Sequence, residues 1–258
     1  RFSVRSNFDY RLSDKLLFTI NFSYSNTFRE DNPEDIRSMA YIKSPNMSVW
    51  EYDETGDLTG EYFTPIVSYQ GNGNTFFNPV AISELGNNDI KGNEIQNNFV
   101  VEYDILDWMK FQESVSFSFI NEKGNRFIPG SAIGADWLDD SINVAEEQNS
   151  MNIRWMSRSQ LFFTPFKGNE LHSFTGVLMW EMEQKEYDWM NLFTHKSPST
   201  EIMDPAAGSP YGLMRSGISQ SVLLGAFASL NYKFKDRYIF NLNVRTDGSS
   251  SFGAGNRW

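Results

Sequence analysis

The run Ser221-Val222-Leu223-Leu224-Gly225-Ala226-Phe227-Ala228-Ser229-Leu230-Asn231-Tyr232-Lys233-Phe234 decides the fold, together with Lys235-Asp236-Arg237 and the following Tyr238-Ile239-Phe240-Asn241-Leu242-Asn243-Val244-Arg245-Thr246-Asp247. Its even positions read Val222, Leu224, Ala226, Ala228, Leu230, Tyr232 and Phe234. The odd positions carry Ser221, Gly225, Ser229, Asn231 and Lys233, with Leu223 and Phe227 as apolar exceptions. After the charged turn, Tyr238, Phe240, Leu242 and Val244 are set against Asn241, Asn243, Arg245 and Asp247. A strand sends successive side chains to opposite faces, so this is a hairpin with one apolar and one wet face.

The same alternation recurs along the chain. Phe2, Val4, Phe8, Tyr10 and Leu12 oppose Ser3, Arg5, Asn7, Asp9 and Arg11, and Ser13-Asp14-Lys15 turns into Phe18, Ile20, Phe22 and Tyr24. Phe99, Val101, Tyr103 and Ile105 lead through Asp107-Trp108 to Phe111, Val115, Phe117 and Phe119. Ile153, Trp155, Leu161 and Phe163 lead through Lys167-Gly168-Asn169 to Phe174, Leu178, Trp180 and Met182. The count is eight strands in four hairpins, each of about 10 to 16 residues, the tilted length that crosses a bilayer. Short turns near residues 13, 107, 168 and 236 alternate with long connections over 29–94, 121–149 and 186–217 and another from 248. That asymmetry belongs to an all-β, antiparallel, up-and-down transmembrane barrel with short periplasmic turns and long extracellular loops.

Composition agrees. The 258 residues include 22 Phe, 11 Tyr and 7 Trp at a mean hydropathy of -0.46, as strands with one lipid-facing side and aromatic girdles require. No run reaches the roughly 18 apolar residues of a membrane helix. Without cysteine there is neither a disulfide framework nor a thiolate metal site. A net charge of -11 excludes the basic stripe that nucleic acid demands.

The order Ala228-Ser229-Leu230-Asn231-Tyr232, Asp236-Arg237-Tyr238, Arg245, Asp247-Gly248-Ser249-Ser250, Phe252-Gly253 and Asn256-Arg257-Trp258 resembles the barrel of SusC/RagA-type TonB-dependent transporters of Bacteroidetes. Thr246 and Ser251 depart from it, standing where that family often has charged or basic residues. Asn78-Pro79 and Gly71-Asn72-Gly73-Asn74 are similar to its extracellular region. The resemblance implies an outer-membrane location and a 22-stranded barrel closed by a plug. It also implies a SusD-like lipoprotein lid that captures glycans or peptides, and import driven by TonB through the plug. On this reading residues 1–258 are part of one barrel domain, without the plug, the TonB box and the carboxy-terminal strands.

Candidate site residues follow from the loops and the wet face. Between Arg29 and Glu94 there are twelve acidic and four basic residues. Within it, Asp53-Glu54-Thr55-Gly56-Asp57 reads as the turn of a small hairpin between Val49-Trp50-Glu51-Tyr52 and Leu58-Thr59-Gly60-Glu61-Tyr62. The carboxylates Asp53, Glu54 and Asp57 suit calcium only loosely, since the EF-hand spacing is missing, and a solvated turn accounts for them. Glu30, Asp31, Glu34 and Asp35 read as a charged loop base. Trp50, Tyr52, Tyr62, Tyr69, Phe76 and Phe77 are candidates to stack on a ligand or partner, although compact loops are usually packed by their own rings. Trp108, Trp180 and Trp189 are expected in the interfacial girdle. Arg5, Arg11, Arg154, Arg158, Lys233 and Arg245 share the wet face, which in a barrel is the lumen.

No enzyme is expected. His172 and His195 sit in different segments and assemble no catalytic triad or metal pair, the glycines scatter through turns, and no cofactor is implied. Two alternatives remain at this stage: a complete eight-stranded outer-membrane adhesin or pore, and a soluble carbohydrate-binding sandwich. The first should end on a strand, whereas Gly253 to Trp258 reads as a loop; the second should have polar outer faces.

Overall fold

The computed structural model describes residues 1–43, 46–63, 78–134, 142–166, 168–207, 212–253 and 255. Eight long strands form one sheet: β1 (Phe2–Ser13), β2 (Leu16–Glu30), β5 (Asn87–Leu106), β6 (Met109–Ile128), β7 (Val144–Phe163), β8 (His172–Thr194), β9 (Gly212–Phe234) and β10 (Tyr238–Ser249). They lie in the order β1-β2-β5-β6-β7-β8-β9-β10, each antiparallel to its neighbours. A separate two-stranded sheet, β3 (Trp50–Tyr52) and β4 (Leu58–Tyr62), lies in the first long connection with helices α1 (Ile36–Ile42) and α2 (Pro79–Leu85). Helix α3 (Gly130–Ile133) lies in the second.

Turn chemistry fixes the short ends. Lys235 and Asp236 both adopt positive φ, 51° and 49°, and the Arg237 amide donates to the Phe234 carbonyl at 3.1 Å. That is a mirror-image turn, whose twist matches the strands it joins. Two residues, Asp107 and Trp108, span β5 to β6 between the paired Leu106 and Met109. After β7, the Asn169 carboxamide oxygen accepts from the amides of Leu171 and His172 at 2.8 and 3.0 Å and starts β8.

Register carries one face through all the strands. Phe8 pairs with Ile20, Ile20 with Phe99, Phe99 with Val115, Val115 with Ser157, Ser157 with Met182, and Met182 with Leu224. On this face the apolar windows Leu16–Tyr24, Ile95–Tyr103, Phe111–Phe119, Ile153–Leu161 and Phe174–Met182 are each nine residues long. Nine to eleven tilted residues cover the hydrocarbon of a bilayer. Rings bound the window at the short-turn end. Phe163 stacks on Phe174 at 5.7 Å, and His172 Nδ1 lies 2.7 Å from the Tyr232 hydroxyl. At the other end come amides: Asn26 donates to Asn93 at 2.8 Å, Asn121 to Asn149 at 2.9 Å, and Gln220 to Glu186 at 2.8 Å. One carboxylate, Glu113, interrupts the apolar face, and the hydroxyls of Ser157 and Ser159 both donate to it.

Phe8, Phe99, Leu178 and Phe240 stay exposed on that face, which the polar outer surface of a soluble sandwich does not allow. The chain's packed core lies instead in the connections, where Met39, Ile82, Ile128, Ala132 and Ile133 cluster. The strands also run further than the alternation indicates. Twenty residues form each of β5, β6 and β7, and 23 form each of β8 and β9. At the start of β5, beyond the apolar window, Asn87-Asn88-Asp89 is polar on both faces, so alternation fades while the backbone ladder continues. The long connections shorten accordingly to 31–86, 129–143 and 195–211.

Phe99→Arg, which places a charge in the middle of the apolar window, is expected to cost about 2–4 kcal/mol of folded stability in lipid. Val100→Lys, one residue along on the wet face, should stay within about 1 kcal/mol. Urea unfolding of the full-length protein in bilayers measures both, and equal losses would contradict the division into faces.

Candidate functional site

The wet face is a lattice of polar side chains placed by register. Arg5, Ser23, Gln96, Ser118, Arg154 and Lys185 follow one another across β1, β2, β5, β6, β7 and β8. Arg154 pairs with Glu183 at 2.6 Å and Lys185 joins the same carboxylate at 2.5 Å, while Arg158 pairs with Glu181 at 2.5 Å. Arg245 pairs with Asp247 at 2.8 Å. The five arginines expected on the wet face, Arg5, Arg11, Arg154, Arg158 and Arg245, lie on one side of the sheet, and Lys233 shares their parity.

The Asp-Gly-Ser-Ser string has a local physical role. A Cβ on Gly225 would sit 2.9 Å from an Asp247 carboxylate oxygen, so the bare glycine lets Asp247 lie against β9 beside Arg245. The Ser250 hydroxyl accepts from the Val222 amide at 2.8 Å, and the Ser250 amide donates to the Val222 carbonyl at 2.9 Å. Ser249 then turns the chain, its carbonyl accepting from the Phe252 amide at 3.2 Å. The string closes the ladder and swings the chain off the strand.

Above the apolar window the three long connections are tied together. Asp35 caps α1, accepting from the Ser38 hydroxyl at 2.6 Å and the Ser38 amide at 3.2 Å, and these bonds hold its carboxyl below the ordinary value. Asn78 caps α2 and also donates to the carbonyls of Val49 and Phe63 at 2.7 and 3.2 Å, which anchors the foot of the β3–β4 hairpin. Arg126 is the clip. Its guanidinium binds Glu146 at 2.7 Å, Glu34 at 2.6 Å and the Pro33 carbonyl at 3.2 Å. Buried Asn143 accepts from the Gly130 amide at 2.8 Å and donates to the Ser197 carbonyl at 2.9 Å, joining the second connection to the third.

Glu146 is 9% exposed and lies seven residues beyond Ile153, outside the apolar window. Burial pushes its carboxyl up, but hydrogen bonds from Gln148 and Asn191 and the Arg126 charge outweigh burial and hold it below the ordinary value.

The candidate rings divide. Trp50 stacks on Tyr62 across the hairpin at 4.7 Å while remaining partly exposed, and the Tyr62 hydroxyl donates to Glu84 on α2, which ties the hairpin to its own connection. Tyr52 stays exposed on β3. Tyr69, Phe76 and Phe77, and Gly71-Asn72-Gly73-Asn74, lie outside the described residues. Asp53 closes its own turn: its Oδ1 accepts from the Thr55 hydroxyl at 2.7 Å and the Asp57 amide at 2.9 Å. Those bonds, the Thr55 hydroxyl first, lower its carboxyl below the ordinary value. No metal-holding group of three or more acidic or histidine side chains occurs among the described residues.

One girdle residue is misplaced by the sequence reading. Trp180 lies on the apolar face and Trp108 in the short turn, but Trp189 pairs with Ser150 and Gly217 on the wet face. Nine positions separate Trp189 from Trp180, an odd interval, so parity puts them on opposite sides. Counting along β8 could have shown this. Arg126, Asn143 and Glu146 carried no signal of period or motif.

An uninterrupted antiparallel wall with one bilayer-high apolar face defines a segment of a membrane β-barrel. No family model matches the chain. Among curated proteins it is 26% identical to TonB-dependent receptor P26 of Formosa agariphila over all of the chain and 25% of that protein. It is 22% identical to TonB-dependent receptor SusC of Bacteroides thetaiotaomicron over 95% of the chain and 25% of that receptor. A solved structure of the RagAB peptide transporter superposes on 99% of the chain and 28% of its own with a TM-score of 0.73 at 17% identity, which speaks to the fold. The resemblance read from the Asp-Gly-Ser-Ser hairpin is thus borne out: the chain corresponds to a stretch of barrel wall in SusC/RagA-type TonB-dependent receptors. It spans about a quarter of the length of these curated relatives.

Arg126→Ala should free the first connection, lowering the cost of local opening by about 1–3 kcal/mol. Protease cleavage between residues 31 and 86 is then expected to rise roughly 5- to 150-fold with the strands still folded. Because the folded Glu146 carboxyl lies below its unfolded value, the clip's stabilisation is present above about pH 4.3 and is lost as pH falls through the lower folded value. A wild-type rise in cleavage already between pH 7 and 5 would show that this ion pair does not hold the connections.

Proposed function

We propose that the segment is wall and extracellular surface of an outer-membrane TonB-dependent transporter that imports glycan or peptide nutrients with a SusD-like lipoprotein. The observation that carries the reading is the register-continuous sheet. Its apolar face has bilayer height, while its opposite face presents arginines, carboxylates and amides. A polar interior facing a lumen and an apolar exterior facing lipid is how a transport barrel is divided. The names of the relatives, TonB-dependent receptors and a peptide transporter, support the same division of labour and are not names of enzymes.

In this reading residues 1–258 are part of one barrel domain, with the plug and TonB contact supplied elsewhere in the protein. The wet face lines the lumen, Arg5, Arg154, Arg158 and Arg245 included. The clipped connections and the exposed Tyr52 belong to the surface that meets ligand and lipoprotein. A self-contained eight-stranded barrel would need β1 to pair with β10, and among the described residues these two strands are the open edges of the sheet. Open edges cannot remain unpaired in lipid, so the segment works only inside a closed barrel.

The intact mass of the native outer-membrane protein is the direct test. A mass near four times 29.7 kDa, co-purification of a lipoprotein and loss of nutrient uptake on removing TonB are expected. A native mass near 29.7 kDa would overturn the reading.

A further inference from the structure

Below the Arg126 clip, the wet face holds a recess of about 380 Å³ that neither the ion-pair lattice nor the packed connections use. It spans two adjacent rungs of the sheet, with Gly124 in its lining and Gly92 and Gly217 on the neighbouring rung. One rung runs Thr27, Gly92, Glu122, Ser150, Trp189 and Gly217, and the next runs Arg29, Ile90, Gly124, Gln148 and Asn191. Gly217 is the critical one. A Cβ there would lie 2.6 Å from Trp189 Nε1 and 3.0 Å from Cε2, so the indole packs against the bare backbone of β9. Trp189 nevertheless remains 38% exposed, and Tyr187, two residues along on the same face, is 43% exposed. Among the described residues, the indole lies against a glycine and is not covered on its exposed side.

The surrounding polar groups are also oriented. Gln148 and Asn191 both donate their amide hydrogens to one Glu146 oxygen, at 2.7 and 2.6 Å, and Glu146 is fixed in turn by Arg126. Each carboxamide thus keeps its carbonyl oxygen as an acceptor, and Ser150 and Glu122 add a hydroxyl and a carboxylate on the same rung. An apolar platform with a few fixed hydrogen-bonding groups is the usual design of a small-ligand site.

We propose that this recess is a saccharide subsite on the lumenal wall, in which a sugar ring stacks on the exposed face of Trp189 and its hydroxyls bond Gln148, Asn191, Ser150 and Glu122. The assignment rests on the transporter reading and narrows its ligand class. Peptides are commonly held by adding a strand to a free sheet edge. Here β7 and β8 are paired on both sides at Trp189, and although β9 has no β10 partner beyond Leu223, it contributes no lining residue, so the recess offers side chains of the paired strands. A pyranose ring presents a C–H face to an aromatic plane and a rim of hydroxyls to acceptors, which matches this arrangement of groups.

The test uses the full-length receptor with its lipoprotein. It is probed with an array of oligosaccharides of four to eight sugars and with tryptic peptides of similar mass. Wild type is expected to retain and import one or more of the oligosaccharides. Trp189→Ala should weaken that by about tenfold or more, as removal of a central aromatic anchor does. Gly217→Val keeps the indole but denies it its bed and should act alike, whereas Trp189→Phe should restore part of the binding. Heat-modifiable gel mobility checks that each variant is a folded barrel. Saccharide binding unchanged in both Trp189→Ala and Gly217→Val overturns the subsite, and peptide import that depends on Trp189 overturns the saccharide assignment. A wild-type complex that imports neither class removes the transporter reading, and the subsite with it.

Discussion

Everything in this segment hangs on one constraint: within lipid, each backbone amide and carbonyl must find its partner in another strand. The unbroken pairing from β1 to β10 meets that constraint for the six inner strands. It also fixes register, and register decides which side chains meet lipid and which meet water. A slip of one residue between β2 and β5 would send Phe99, and Val115 paired with it, to the wet face and Asn98 and Ser116 into hydrocarbon. The apolar window, the amide rim above it and the ring-rich rim below it are consequences of a ladder that does not slip.

That dependence explains what could be read in advance. Strand existence, strand order and the sidedness of Arg5, Arg154, Arg158 and Arg245 follow from a period of two, which survives wherever one face must be apolar. Strand ends do not follow, because at the start of β5 both faces are wet and nothing in Asn87-Asn88-Asp89 distinguishes a ladder from a loop. Trp189 shows a different limit. An indole suggests an interface by composition, while its parity puts it inside, and composition was followed where parity should have ruled. The tie between connections was illegible for a plainer reason. Arg126 and Glu34 are 92 positions apart, and no local pattern records a contact over that distance.

The polar face carries more organisation than solvation alone demands. Ion pairs such as Arg154 with Glu183, with the arginine side chain 47% exposed, contribute little stability one by one. They do set opposite charges against each other on the neighbouring strands β7 and β8 at mid-height. Nearer the outer rim the pattern changes to amides, with Glu122 and Arg29, around an exposed ring. A solute travelling along this wall would meet sparse, short-range recognition above and a balanced, wettable surface below.

The clip at Arg126 fixes the first connection to β6 and β7, the cluster of Met39, Ile82, Ala132 and Ile133 packs it against the second, and the bridge at Asn143 joins the second to the third. Such coupling sets how the surface can diversify. A transplanted first connection would arrive without its clasp, and a new third connection would leave the Asn143 amide with no carbonyl to meet. New recognition surfaces on this scaffold should therefore be inherited as sets of co-adapted loops rather than as single exchangeable ones, while the strands beneath remain a common foundation.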